Sequence, residues 1–158
     1  MFDSLPFSFS LASILPLPAD HVWKNVATLD GVNRELLPWL RLTVPGSARG
    51  LIISDAEVGV HLFHSWLLVG AILPVDRHRF CFEEVEDGYF LETSSSWLHS
   101  SWRHERSVVP RDGGCLLTDR VGFQPRVTLL GGFFARVVQA TFTHRHRRLL
   151  QWATSDQH

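Results

Sequence analysis

The sequence predicts an α+β domain in which an antiparallel sheet of seven strands is covered by one long C-terminal helix, with two short helices after the first strand. Three observations carry this. Residues 7–15 alternate large apolar with small or polar side chains, the period of a half-buried strand. From residue 62 to residue 123 the chain is a series of strand-like runs broken by turn compositions, and neighbouring strands joined by short turns are antiparallel. Residues 129–152 then place Leu130, Phe133, Phe134, Val137, Val138 and Phe142 at helical spacing, with Arg136, Gln139 and Thr143 between them. Two short helices cannot hide one whole apolar face of such a sheet, so the long helix must cover it.

The elements follow in order. The first strand ends at Pro16 and Pro18, and Pro18 suits the first turn of a helix whose apolar face is Val22, Trp23, Val26 and Leu29. Asp30 and Gly31 are expected to break it, and a second short helix runs over 32–37 and stops near Pro38. Residues 39–44 return to strand alternation, and residues 46–61 read as a loop holding a short strand. Residues 62–73 are almost continuously apolar up to Pro74, which suits a central strand buried on both faces. Strands over 77–85 and 89–97 flank the turn Glu86, Asp87, Gly88, and strands over 102–109 and 115–123 flank Pro110 to Gly114.

The last hairpin fixes a register. With Pro110 facing Cys115, Arg106 falls opposite Asp119 and Glu105 opposite Arg120, two opposite-charge pairs that a shift of one residue would lose. One face then carries Trp102, His104, Arg106 and Val108 with Leu117, Asp119, Val121 and Phe123 and is the inner one. Arg103, Glu105, Ser107, Thr118, Arg120 and Gly122 form the outer face. Ionised groups inside a fold need partners, so His104, Arg106 and Asp119 must meet each other, water, a ligand, or the cationic end of the long helix. At about 100° per residue the inward face of that helix is expected to hold Leu130, Phe134, Val137 and Thr141 and to continue into His144, Arg145, Arg148 and Trp152. Its basic end fits ordinary helix-dipole chemistry as well as a binding role.

Composition narrows the function classes. The 158 residues read as a single domain over 1–158, and a net charge of −1 argues against nucleic acid as a partner. Cys81 and Cys115 have neither the count nor the spacing of a disulfide framework or a zinc site and are expected as free thiols. No basic region precedes the N-terminal apolar residues, and the longest apolar run, 66–74, is too short to span a bilayer. A cytoplasmic protein with no membrane-spanning segment is the expectation.

PADHVWKNVATLDGVNRELLPWLRLTVP near the start, HSWLLVGAILPVD in the middle, and WRHERSVVP, LLTDRVGFQPR and FTHRHRRLL toward the end together resemble the START-related superfamily, the polyketide cyclase/dehydrase and lipid-transport group. The resemblance covers nearly the whole chain. It implies a helix-grip fold, a curved sheet wrapped around the C-terminal helix, with a mostly apolar cavity between them for a lipid, isoprenoid, polyketide or similar molecule. The chain has no Rieske-type Cys/His set, which counts against an oxygenase role.

Metal chemistry lacks a ligand pattern. His144 and His146 fall on nearly opposite faces of a helix, His61 and His64 point to opposite sides of an extended strand, and HExxH and CxxC are missing. Ser94, Ser95 and Ser96 lack a nucleophile elbow. His104 with Arg106 and Asp119 is the one catalytic candidate, as a general acid or base, and a buried ion-pair network is the competing reading of the same residues. Trp66, Phe82, Trp102, Val121, Phe123, Phe134 and Val137 are candidate lining residues, with His104, Arg106, Asp119, Thr141 and Arg145 as polar anchors. The leading expectation is non-catalytic binding or transport of a hydrophobic small molecule without a cofactor. A cyclase- or hydratase-like enzyme is the first alternative. An adaptor presenting residues 51–60 or 144–148 to a protein or membrane surface is the second, and a homodimer is compatible with either.

Overall fold

The computed structural model describes residues 2–158. Strands β1 (Phe7–Leu15), β2 (Leu40–Leu42), β3 (His61–Val69), β4 (Leu73–Glu86), β5 (Tyr89–Ser96), β6 (His99–Arg111) and β7 (Gly114–Pro125) form one antiparallel sheet in the order β1-β7-β6-β5-β4-β3-β2. Helices α1 (Ala19–Val26) and α2 (Leu29–Leu36) follow β1, and α3 (Gly131–Ser155) closes the chain. This is the expected helix-grip arrangement. The β6–β7 register is also the expected one, with Pro110 opposite Cys115, Arg106 opposite Asp119 and Glu105 opposite Arg120. All eight inner residues of that hairpin are buried except Trp102, which is half-buried.

Several boundaries differ, each for a local reason. Asp30 and Gly31 do not break a helix but form the first turn of α2, which starts where the Thr28 hydroxyl accepts a hydrogen bond from the Gly31 amide at 3.0 Å. Gly31 is needed because α1 crosses there: a Cβ at this position would sit 1.9 Å from the Asn25 carbonyl oxygen. Residues 46–61 hold two 3₁₀ turns (Gly46–Ala48 and Ile53–Asp55), and the only trace of the expected strand is an isolated bridge between Thr28 and Ile52. The apolar run 62–73 is not one central strand. Gly70 and Ala71 take positive φ values of 59° and 65°, and with Ile72 they make the three-residue turn that ends β3 and starts β4. β3 is the second strand from the edge, and Ile72 at the turn is 84% exposed.

Packing falls into two apolar clusters. One joins α1, α2 and the far half of α3 to the inner face through Trp23, Phe63, Phe80, Phe82, Phe90 and Leu149. The other joins the near half of α3 to β1, β6 and β7 through Val121, Phe123, Val138 and Phe142. The buried residues of α3 are Gly131, Val138, Phe142, His144, Arg145, His146, Leu149 and Ala153, all but His144 centred on one stripe. The helix is therefore turned by roughly 90° from the expected face, at about 100° per residue. Leu130 and Val137, expected inside, are 47% and 43% exposed. Two things set this orientation. A Cβ on Gly131 would meet the Phe7 ring at 2.6 Å, so the helix start lies directly on β1. Farther along, Arg145 and His146 are drawn to carboxylates of α2 and β7.

Candidate functional site

The inner face carries a chain of buried ionisable groups. Strand alternation puts His104 and Arg106 on the inner side of β6, the register places Asp119 beside Arg106, and the apolar face of α2 delivers Glu35 from above. The Arg106 guanidinium is wholly buried and donates to Asp119 Oδ1 and Oδ2 at 2.7 Å each, and to Glu35 Oε1 and Oε2 at 2.7 and 3.0 Å. Arg145 of α3 donates from Nε to Glu35 Oε2 at 2.8 Å while its guanidinium lies over the Phe142 ring. Asp119 Oδ1 also meets His104 Nε2 at 2.7 Å, and Oδ2 meets His146 Nε2 at 2.9 Å. On its other side His146 Nδ1 is 2.7 Å from the Ser13 hydroxyl. The chain continues into β5 and β4: Glu92 lies 3.6 Å from His104 Nδ1 and 2.5 Å from His78 Nε2.

The electrostatics follow from these distances. Burial alone would raise the Asp119 and Glu35 carboxyls, yet Arg106, with His104 for Asp119 and Arg145 for Glu35, holds both below the usual carboxylate range. Glu92 is likewise held low against its burial by His78 and His104. Burial disfavours the charged Arg106, but Asp119 and Glu35 outweigh it and keep the guanidinium charged. The expected triad thus exists and reaches the cationic part of α3, with Asp119 approached by His146 and Glu35 by Arg145. Both nitrogens of His104 face carboxylates, which leaves neither free to take a proton from a substrate. The Ser13–His146–Asp119 sequence has relay connectivity, but both Asp119 oxygens also accept from Arg106, which makes the carboxylate a weak base.

A different buried group stands unpartnered. His99, at the start of β6, is buried, and its ring packs within 5.0 Å of Phe123 and 5.6 Å of both Trp102 and Phe134, measured between centroids. Its Nδ1 has no hydrogen-bond partner. Burial lowers the imidazole pKa to about 4, so the ring is neutral at pH 7. Trp102 and Phe134 face inward but are only half-buried. Simple alternation back from Trp102 would put His99 on the outer face. The irregular register between His99 and Ser101 brings the histidine onto the same side.

The remaining sequence-derived candidates divide. Phe82 and Val121 are buried on the inner face. Trp66 lies on the outer face: its neighbour Ser65 points in, and Trp66 itself packs edge-on against the exposed Trp97 and beneath Arg77. Thr141 is half-buried and donates its hydroxyl to the Val137 carbonyl within α3 at 2.8 Å. His61 and His64, expected on opposite sides, have ring centroids 4.4 Å apart because a register shift follows His61. His144 donates from Nε2 to the Leu37 carbonyl at 2.9 Å and stacks on Trp39. Two surface clefts lie elsewhere. One, of about 260 Å³, is bounded by α1, α2 and the end of α3, and the other, of about 450 Å³, by residues 16–20 and the β6–β7 turn.

Residues 13–153 match the model of a family described as "Domain of unknown function (DUF8410)". No curated protein matches the chain. Solved structures with similar folds include a protein from Chromobacterium violaceum (14% identity, TM-score 0.72, covering 92% of this chain and 96% of that one). The Zhui aromatase/cyclase from Streptomyces sp. R1128 is similar at 12% identity and TM-score 0.71, with 96% of each chain covered. A START superfamily protein from Mycobacterium smegmatis is similar at 10% identity and TM-score 0.66, with 94% and 97% covered. At these identities the likeness is one of fold.

Proposed function

The chain belongs to the DUF8410 family, and from its helix-grip architecture we propose that it binds a hydrophobic small molecule of lipid, isoprenoid, quinone or polyketide-like character between the sheet and α3. The observation that carries this reading is the unpartnered Nδ1 of His99 inside an aromatic box. A buried polar atom without a partner costs about 1–3 kcal/mol, and a ligand carbonyl or hydroxyl would offset that cost. Trp102, Phe123 and Phe134 would supply the apolar contact, with Val121 and Phe82 as the packed wall behind them. His104, Arg106, Asp119 and Arg145 then serve as the charged floor that holds sheet, α2 and α3 in one geometry. In this reading Thr141 and Val137 flank the opening rather than line the interior, and no catalytic step is required.

The test is a lipid and quinone panel read by tryptophan fluorescence. Wild-type protein should bind at least one member, with affinity reduced about tenfold, the equivalent of about 1.4 kcal/mol, by His99→Phe and by Trp102→Ala. Turnover of any bound molecule that is abolished by His104→Ala, with binding retained, would favour a cyclase- or hydratase-like enzyme instead.

A further inference from the structure

The start of α3 and the turn before it expose more apolar surface than any other segment of comparable length. Val127 is 52% exposed, Leu129 97%, Leu130 47%, Phe133 62% and Val137 43%. Trp97, 59% exposed, belongs to the same end of the molecule, because Arg126 donates from its amide to the Leu98 carbonyl and from Nε to the Ser96 carbonyl, both at 2.9 Å, bracketing it. These side chains project from a 3₁₀ turn and a helix end and form no groove. Isolated apolar tips of this kind gain little from a rigid protein surface unless its hollows match them, whereas fluid hydrocarbon accepts them without shape matching.

Charge gives the second, independent indication. No Asp or Glu occurs from Arg120 to Ser155, a stretch with six arginines, Arg120, Arg126, Arg136, Arg145, Arg147 and Arg148. The rest of the chain holds the other 9 of the 15 basic residues and all 16 acidic ones, a balance of 9 − 16 = −7. Arg120 pairs with Asp3 and Arg145 with Glu35, but Arg136 and Arg147 are exposed on the outer side of α3, eleven residues apart and so about 20° apart around the helix. Apolar tips with arginines farther along the same exposed side of the helix are complementary to a phosphate-bearing apolar layer.

We propose that the exposed side of α3 docks on an anionic lipid bilayer, with Leu129 and Phe133 entering the acyl boundary and Arg136 and Arg147 meeting headgroup phosphates. The proposal is independent of whether the interior holds a ligand. It is tested by co-sedimentation of the full chain with vesicles of phosphatidylcholine alone or with phosphatidylserine at about 3:1. Binding to the mixed vesicles should exceed binding to phosphatidylcholine by about tenfold and fall steeply at about 1 M salt, where the Debye length is about 3 Å. The double substitution Leu129→Ser/Phe133→Ser should remove it on both vesicle types. Arg136→Gln/Arg147→Gln should reduce only the phosphatidylserine-dependent part. All four side chains are exposed, so unchanged circular dichroism and thermal midpoint will establish that the variants fold. Failure of the wild type to sediment with mixed vesicles overturns the proposal, and so does equal binding by the Leu129/Phe133 variant. Concentration-dependent dimerisation abolished by that variant, without vesicle binding, would assign the surface to a second copy of the chain instead.

Discussion

Arg106 is the residue on which the interior depends. It donates to both oxygens of two carboxylates from different elements, Glu35 and Asp119, and none of the three has contact with water beyond a few per cent of its surface. Removing one member of a buried set strands the others, so Arg106→Met should lower the unfolding free energy by about 3–5 kcal/mol in urea titrations. Asp119→Asn should be similarly severe, because Asp119 serves Arg106, His104 and His146 together. The Arg106–Asp119 pair was legible in the sequence because register and charge agreed at one alignment of the hairpin. Glu35 was not legible: it belongs to a short helix whose distance from β6 along the chain hides their contact. His99 supplies a pH dependence of the opposite chemical type. Its pKa is depressed to about 4 from an ordinary 6.5, so the unfolded chain takes up this proton first as pH falls. The stability it contributes is complete above pH 6.5 and is lost between 6.5 and about 4, at most roughly 3 kcal/mol at 1.36 kcal/mol per unit. His99→Gln should flatten the fall in stability across that window relative to wild type. A parallel fall in both proteins would contradict the buried neutral ring.

At the scale of elements, the sheet was legible and the helical seams were not. Period-two alternation places β1, β6 and β7 because each side of a strand has one environment. The apolar run ending at Pro74 concealed a reversal, since Gly70 and Ala71 turn the chain without the usual Asp or Asn signals. The α1–α2 junction shows the complementary error. Gly31 resembles a breaker in one dimension, but in three it is the gap through which one helix passes the carbonyl of the other. Gly31→Ala should therefore destabilise the fold, by about 1–3 kcal/mol or more, although alanine is the better helix former. A neutral or stabilising result by thermal denaturation would show that α1 can move away. For α3 the hydrophobic pattern is broad, and its rotation is set by Gly131 against Phe7 and by two ion pairs, information distributed over three other elements.

At the scale of the molecule, the ionic floor and the aromatic box divide the space under α3. Toward its C-terminal half the helix is tied to α2 and β7 by charge, and no apolar guest would be stable there without breaking those pairs. Toward its start the contacts are aromatic, half-buried and include one unsatisfied nitrogen, while the outer surface of the same end is apolar. Ligand entry and surface docking would then share one end of the protein. Among the described residues no helix is long and apolar enough to cross a membrane. The most direct measurement is native mass spectrometry of freshly purified protein beside its His99→Phe and Trp102→Ala variants, followed by re-exposure to the lipid and quinone panel. The account predicts a mass increment from a retained or rebound hydrophobic molecule in the wild type that is diminished in both variants. A wild-type protein that stays at its bare mass throughout, or a bound species indifferent to both substitutions, would contradict it.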